Sequence, residues 1–124
     1  MILGIGIDII EVGRIDRQLK SEEGLSESLF TSGEISYCRS KRDAAQFFAA
    51  RFAAKEAFLK ALGSGQRDGI SFSDVELIND TLGKPGLVLH RAALEKAKNI
   101  GITHMHLSLS HIKDYATAMV TLET

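Results

Sequence analysis

Asp8, Glu56 and Lys60 have residue types and settings suited to phosphate chemistry. Asp8 lies near the end of the apolar run Ile2 to Ile10. Read as a strand, that run puts Leu3, Ile5, Ile7 and Ile9 on one face and Gly4, Gly6, Asp8 and Ile10 on the other. The two glycines leave room for something to lie against the backbone beside Asp8. Phe48, Phe52, Glu56 and Lys60 form one i, i+4 row, so Glu56 lies beside the core-facing stripe of a helix. A carboxylate held there needs a cation, and a lysine, a metal or both would supply one. Mg²⁺ suits such a site, because it takes a few carboxylates and fills its shell with waters and substrate phosphates. Arg51, Lys55, Lys60 and Arg67 could bind phosphates locally. Plainer readings stand beside these. Asp8 could simply cap a turn, the basic residues could be a solvated helix face, and an exposed Glu56–Lys60 pair contributes at most about 1 kcal/mol. The residues alone point to Mg²⁺ on a phosphate ester and do not name the substrate.

Other constellations are weaker. His104 and His106 would share a strand face, a pattern that more often is solvated than metal-binding. His111 follows Ser108 and Ser110, but no G-x-S-x-G elbow accompanies them. Cys38 with a distant histidine is a poor thiol-catalysis signal. The glycine-rich start lacks the Lys-Ser/Thr ending of a phosphate-binding P-loop, and no G-x-G-x-x-G opens a helix.

The elements that must position these residues are readable. After the first strand, Val12 to Lys20 is predicted as a short helix carrying Arg14, Arg17 and Lys20 on roughly one face. Ser21 to Ser28 is polar. Thr31 or Ser32 would start a helix, and Thr31 with Glu34 fits a capping box. Asp43 would cap a long helix from Ala44 to Leu62, ended by Gly63. Gly63 to Gly69 reads as a loop. Val75 to Ile78 and Leu87 to His90 would pair as a hairpin across Asn79 to Gly86. A second short helix, Arg91 to Asn99, precedes two alternating strands, Thr103 to Ser110 and Tyr115 to Glu123, joined by a turn at His111 to Asp114. The expected class is α+β, with a mainly antiparallel sheet packed on one long helix in a single domain, 1–124.

Composition narrows the function classes. The chain is 44% hydrophobic and 25% charged, as expected of a globular protein, and its net charge of −1 gives no field to attract nucleic acid or an anionic membrane. No apolar run approaches the roughly 20 residues that span a bilayer. The apolar start lacks a basic n-region, and one cysteine cannot form an internal disulfide; a cytoplasmic location is expected.

Two blocks carry a resemblance. G-I-G-I-D-I over 4–9, followed by Arg14-Ile15, and R-F-A-A-K-E-A-F-L-K-A-L-G over 51–63 closely resemble the signature motifs of the small bacterial holo-(acyl carrier protein) synthases, within the 4′-phosphopantetheinyl transferase superfamily. Phe30-Thr31 with Glu34 and Tyr37-Cys38, Gly83-Lys84-Pro85, and Ser108 to His111 with Tyr115-Ala116 extend the match along nearly the whole chain. The resemblance implies transfer of 4′-phosphopantetheine from coenzyme A to a serine of apo acyl carrier protein, releasing adenosine 3′,5′-bisphosphate, in fatty acid biosynthesis. It implies that Asp8 and Glu56 bind Mg²⁺, that Lys60 contacts the phosphates, and that Glu56 is the candidate proton acceptor. Arg51, Lys60, Gly63, Pro85 and His111 match positions that line the coenzyme A cleft, while Arg14 and Arg17 would face the acidic carrier. It also implies a homotrimer with active sites between subunits. Ala50 departs from the glycine common in relatives, and Ser32-Gly33 stands where charged residues are common; neither touches the proposed chemistry. Two rivals are weighed against this: a metal-dependent phosphodiesterase or nuclease, which would favour a third carboxylate and a broad basic groove, and a non-catalytic trimeric binding module, which would not retain Asp8, Glu56 and Lys60.

Overall fold

A computed structural model describes residues 1–63 and 68–124. In chain order the elements are β1 (Ile2–Glu11), α1 (Val12–Ser21), α2 (Leu25–Leu29), α3 (Ser32–Arg39), α4 (Ala44–Leu62), a 3-10 turn (Phe72–Asp74), β2 (Val75–Asn79), β3 (Pro85–Leu89), α5 (Arg91–Ile100), β4 (His104–His111) and β5 (Tyr115–Glu123). The strands form two antiparallel sheets, one in the order β1-β5-β4 and one the β2-β3 hairpin. The expected α+β arrangement around one long helix is the one observed.

α4 is the axis of the molecule because alanine, its commonest residue, lines its buried side. Ala49, Ala50, Ala53, Ala54, Ala57 and Ala61 are all buried, and small side chains let neighbouring elements approach its backbone closely. β5 turns Ala116, Ala118, Val120 and Leu122 toward this core, matching the alternation in its sequence. α4 ends at Gly63, whose φ of 79° is the left-handed conformation that glycine adopts without a Cβ penalty, with its N–H donating to the carbonyls of Leu59 and Lys60.

The opposite face of the three-stranded sheet has no cover among the described residues. Ile5, Ile7 and Ile9 are 59%, 63% and 69% exposed, with Leu3, Tyr115 and Met119 on the same surface. Among the described residues, no helix is long and apolar enough to cross a membrane.

Four expectations need correcting. The room beside Gly4 and Gly6 is filled by α4 itself, not left for a ligand. Asp43 precedes α4 but makes no side-chain capping bond. The polar stretch after α1 contains the start of α2, a helix of five residues whose periodicity is too short to register. His111 closes β4 rather than lying in the turn. The Thr31–Glu34 capping box is present: the Glu34 N–H donates to Thr31 Oγ1 at 3.2 Å, and the Thr31 N–H to Glu34 Oε1 at 3.0 Å.

Candidate active site

The close packing of β1 on α4 aims Asp8. An ideal Cβ built at Gly4 would lie 2.0 Å from the Ala61 carbonyl oxygen, and one at Gly6 would lie 1.9 Å from that of Ala57. Strand and helix therefore run backbone against backbone, Gly4 at one turn and Gly6 at the preceding one. Two strand residues advance about 6.6 Å and one helical turn about 5.4 Å, so the next residue on that face comes beside the turn before Ala57. That residue is Asp8.

Lys60 reaches across to it. Its Nζ donates to Asp8 Oδ1 and to the Ile7 carbonyl, each at 3.0 Å. The i, i+4 pairing of Lys60 with Glu56 is thus replaced by a bond to a strand 52 residues away. Among the described residues Glu56 takes part in no side-chain hydrogen bond or ion pair. Burial, then the neighbouring Asp8 charge, push its carboxyl above the usual range, while Lys60 pulls it back down.

Asp8 and Glu56 line one cleft of about 350 Å³ together with Arg14, Gln18, Phe52 and Tyr115. Its donor set fits Mg²⁺. Two carboxylates face one space, and each added negative charge there is unfavourable until a cation offsets it. No group of three or more His, Cys, Asp or Glu suited to a metal occurs among the described residues, so substrate oxygens and waters would complete the shell, as Mg²⁺ favours. Arg14 opens onto this cleft, whereas Arg17 lies on the exposed side of α1 with its guanidinium over Gly13, and Lys20 is engaged by Asp16 at 2.9 Å.

Arg51, Pro85 and His111 do not line that cleft. Arg51 is only 3% exposed; its Nη2 donates to Asn79 Oδ1 at 3.0 Å, its guanidinium covers the Tyr37 ring at 4.3 Å, and its buried Nε has no hydrogen-bond partner among the described residues. Pro85 pairs in register with Asn79, which puts it beside Arg51. The His111 ring meets Phe47 edge-on at 5.0 Å, and its Nδ1 is 2.9 Å from Gln46 Oε1. Tyr37 lies 6.0 Å from Phe47, with Lys41 Nζ 4.7 Å above it. The result is a cationic aromatic patch whose residues do not line the carboxylate cleft. Gly63 ends α4 near Lys60. Tyr37 entered the sequence reading only within a matched block, and Lys41 and Phe47 not at all; their aromatic and basic types were the only hint of this patch, and nothing in the sequence marked Gln18 for the carboxylate cleft.

Lys55 is not a phosphate ligand. Its side chain is buried, and Nζ donates to Glu34 Oε1 at 2.8 Å, to the Phe72 carbonyl at 3.0 Å and to the Val75 carbonyl. Burial lowers the Lys55 ammonium from its ordinary value, while the Glu34 charge and hydrogen bond hold it up. Arg67 and the middle of the expected loop after Gly63 lie outside the described residues. The weaker constellations dissolve. His111 contacts Gln46 rather than a serine, His104 contacts Thr103, and His106 contacts Glu123. Cys38 is fully buried, and burial pushes its thiol up to about 11, so it holds little thiolate at neutral pH.

Known proteins resemble this chain over its whole length. Residues 4–120 match the model of the 4′-phosphopantetheinyl transferase superfamily. A holo-[acyl-carrier-protein] synthase of Geobacter sp. (strain M21) is 52% identical, covering 99% of each chain, and that of Geobacter sulfurreducens is also 52% identical, covering 99% of this chain and 98% of its own. The crystal structure of the Neisseria meningitidis holo-[acyl-carrier-protein] synthase superposes with a TM-score of 0.91 at 35% identity, covering 100% of both chains. That of the Bacillus anthracis enzyme, solved in complex with CoA (3′,5′-ADP), gives 0.83 at 40% identity over 100% of this chain and 98% of the other.

Proposed function

The chain belongs to the 4′-phosphopantetheinyl transferase superfamily, among its holo-(acyl carrier protein) synthases, and from that premise we propose how its residues divide the reaction. The enzyme moves 4′-phosphopantetheine from coenzyme A to a serine hydroxyl of apo acyl carrier protein and releases adenosine 3′,5′-bisphosphate. The observation that carries the assignment of the site is Glu56: a half-buried carboxyl bonded to no cation among the described residues, pushed up by burial and by Asp8 across a shared cleft.

Asp8 and Glu56 would hold Mg²⁺, which when bound neutralises charge gathering on the phosphates under attack. Lys60, oriented by Asp8 and the Ile7 carbonyl yet about half exposed, keeps a third N–H to offer a phosphate oxygen at the cleft edge. Glu56 is the group best suited to receive the serine proton, since a carboxyl raised above its ordinary range is a stronger base. The carrier supplies the nucleophile, so the enzyme needs none; the burial of Cys38 agrees with that. Arg14, with Arg17 beside it, would meet the acidic carrier and steer it to the cleft.

Arg51, Lys60, Gly63, Pro85 and His111 would bind coenzyme A. The Nε of Arg51, unpartnered among the described residues, and the basic aromatic patch suit a phosphorylated nucleotide. In one chain this patch does not line the cleft of Asp8 and Glu56, and the exposed sheet face of Ile5, Ile7 and Ile9 asks for cover. A homotrimer joined by that face would let one subunit's nucleotide patch complete a neighbour's catalytic cleft. The remaining assignments are a single catalytic domain over 1–124, a cytoplasmic location and service to fatty acid biosynthesis.

Following nucleotide release from coenzyme A by chromatography tests this reading. Adenosine 3′,5′-bisphosphate should appear only when Mg²⁺ and apo carrier are both present. Release without any carrier would favour phosphodiester hydrolysis instead.

A further inference from the structure

The buried Glu34–Lys55 pair is held by five hydrogen bonds, which use all three donors of Lys55. The three protons of Lys55 Nζ go to Glu34 Oε1, the Phe72 carbonyl and the Val75 carbonyl. Glu34 Oε1 also accepts the Thr31 N–H, and its Oε2 accepts the Leu77 N–H at 3.0 Å. Both side chains are essentially inaccessible, 1% and 0% exposed. One ion pair thus joins α3, α4, the 3-10 turn and β2.

Stability alone does not account for it. Replacing a buried ion pair with apolar side chains of similar volume is often neutral or stabilising, because desolvating two charges is costly. What directional bonds add is register. The alanine surface of α4 presents few protrusions, and apolar contact is non-directional, so packing alone does not fix where the turn and β2 sit along the helix. The Phe72 carbonyl is held by Lys55, and the Phe72 ring stacks on Phe52 with centroids 5.3 Å apart and planes at 28°. Phe52 lines the cleft with Asp8 and Glu56, and stands one turn before Glu56 on the same helix row.

We propose that Glu34 and Lys55 are positioning residues for the transfer reaction: by fixing Phe72 against Phe52, they set the wall of the cleft beside Glu56. The inference rests on the transferase reading above. Wild-type enzyme in the same assay separates the two. If wild type transfers nothing, the reading fails; if it transfers and the variants match it, only this inference fails.

The test uses the full chain and apo carrier, with kcat and each KM measured alongside the melting temperature. In the double variant Glu34→Gln/Lys55→Met, which leaves no lone buried charge, kcat at saturating coenzyme A and carrier should fall about tenfold while a cooperative melt persists. Phe72→Leu should lower kcat by a similar factor without touching the pair. Combined, the three substitutions should cost little more than either set alone, because both act through one contact. A double variant that folds with wild-type kcat overturns the proposal, as do losses that multiply. Should the double variant not fold, Phe72→Leu decides: a folded enzyme with unchanged kcat overturns the proposal, and a lowered kcat supports it.

Discussion

At the residue scale, the chemistry proposed for Glu56 comes at the expense of stability. Its carboxyl is raised in the fold, first by burial and then by Asp8. A raised carboxyl binds its proton more tightly folded than unfolded. Its contribution is therefore fully present below the unfolded value and lost as pH rises through the folded one. Glu56→Gln should melt at a higher temperature than wild type at about pH 8, and the difference should vanish near the ordinary carboxylate value of about 4.3. Mg²⁺ should raise the wild-type melting temperature and leave the variant unmoved. Calorimetry across pH, with and without the ion, reads all three. Loss of transfer should accompany the gain: Asp8→Asn or Glu56→Gln should lower kcat/KM at least about 100-fold, roughly 3 kcal/mol of transition-state stabilisation. Both carboxylates were legible in the sequence, one from its glycine-lined strand face and one from its place beside phenylalanines. The partner of Lys60 was not. Spacing on a helix says which side chains can meet, and a carboxylate from β1 took the place of the near neighbour.

At the element scale, the contact between β1 and α4 decides whether a site exists. Gly6→Ala would put a methyl 1.9 Å from the Ala57 carbonyl oxygen, so strand and helix must separate. Overpacking of this kind costs about 1–3 kcal/mol or more, and the melting temperature should drop accordingly. Gly86→Ala, where the added carbon meets open space, should be close to neutral in the same thermal melt. Glu76 ties two other elements together, accepting from Thr31 Oγ1 at 2.6 Å and lying 2.9 Å from His90 Nε2. Burial raises its carboxyl, but hydrogen bonds from Thr31 and His90 outweigh that and leave it lowered. It stabilises the fold above its unfolded value, and that contribution is lost as pH falls through the folded one. Glu76→Gln should therefore cost about 1 kcal/mol at neutral pH and nothing in strong acid, as urea titrations would read. The alternation of β1 correctly assigned its two faces, but not their occupants. Glycine reports that something comes close without saying whether it is substrate or helix. Glu34 was legible as a capping residue; its bond to Lys55 joins positions 21 apart, with no shared local pattern.

At the scale of the whole molecule, a net charge of −1 conceals local organisation: Arg14 at the carboxylate cleft, and Arg51 and Lys41 on an aromatic patch. Composition averages such features away, and assembly leaves no trace in it. If the sheet face joins subunits, Ile7→Asp should shift the sedimentation coefficient to that of a monomer and abolish transfer, with Asp8 and Glu56 untouched. The most direct measurement is the intact mass of apo acyl carrier protein after incubation with coenzyme A, Mg²⁺ and this enzyme. The expected result is a gain of one phosphopantetheine group, absent with EDTA and absent with the Asp8→Asn/Glu56→Gln variant. An unchanged carrier mass with wild-type enzyme, or full modification by that variant, would contradict the assignment of these two carboxylates to phosphopantetheine transfer.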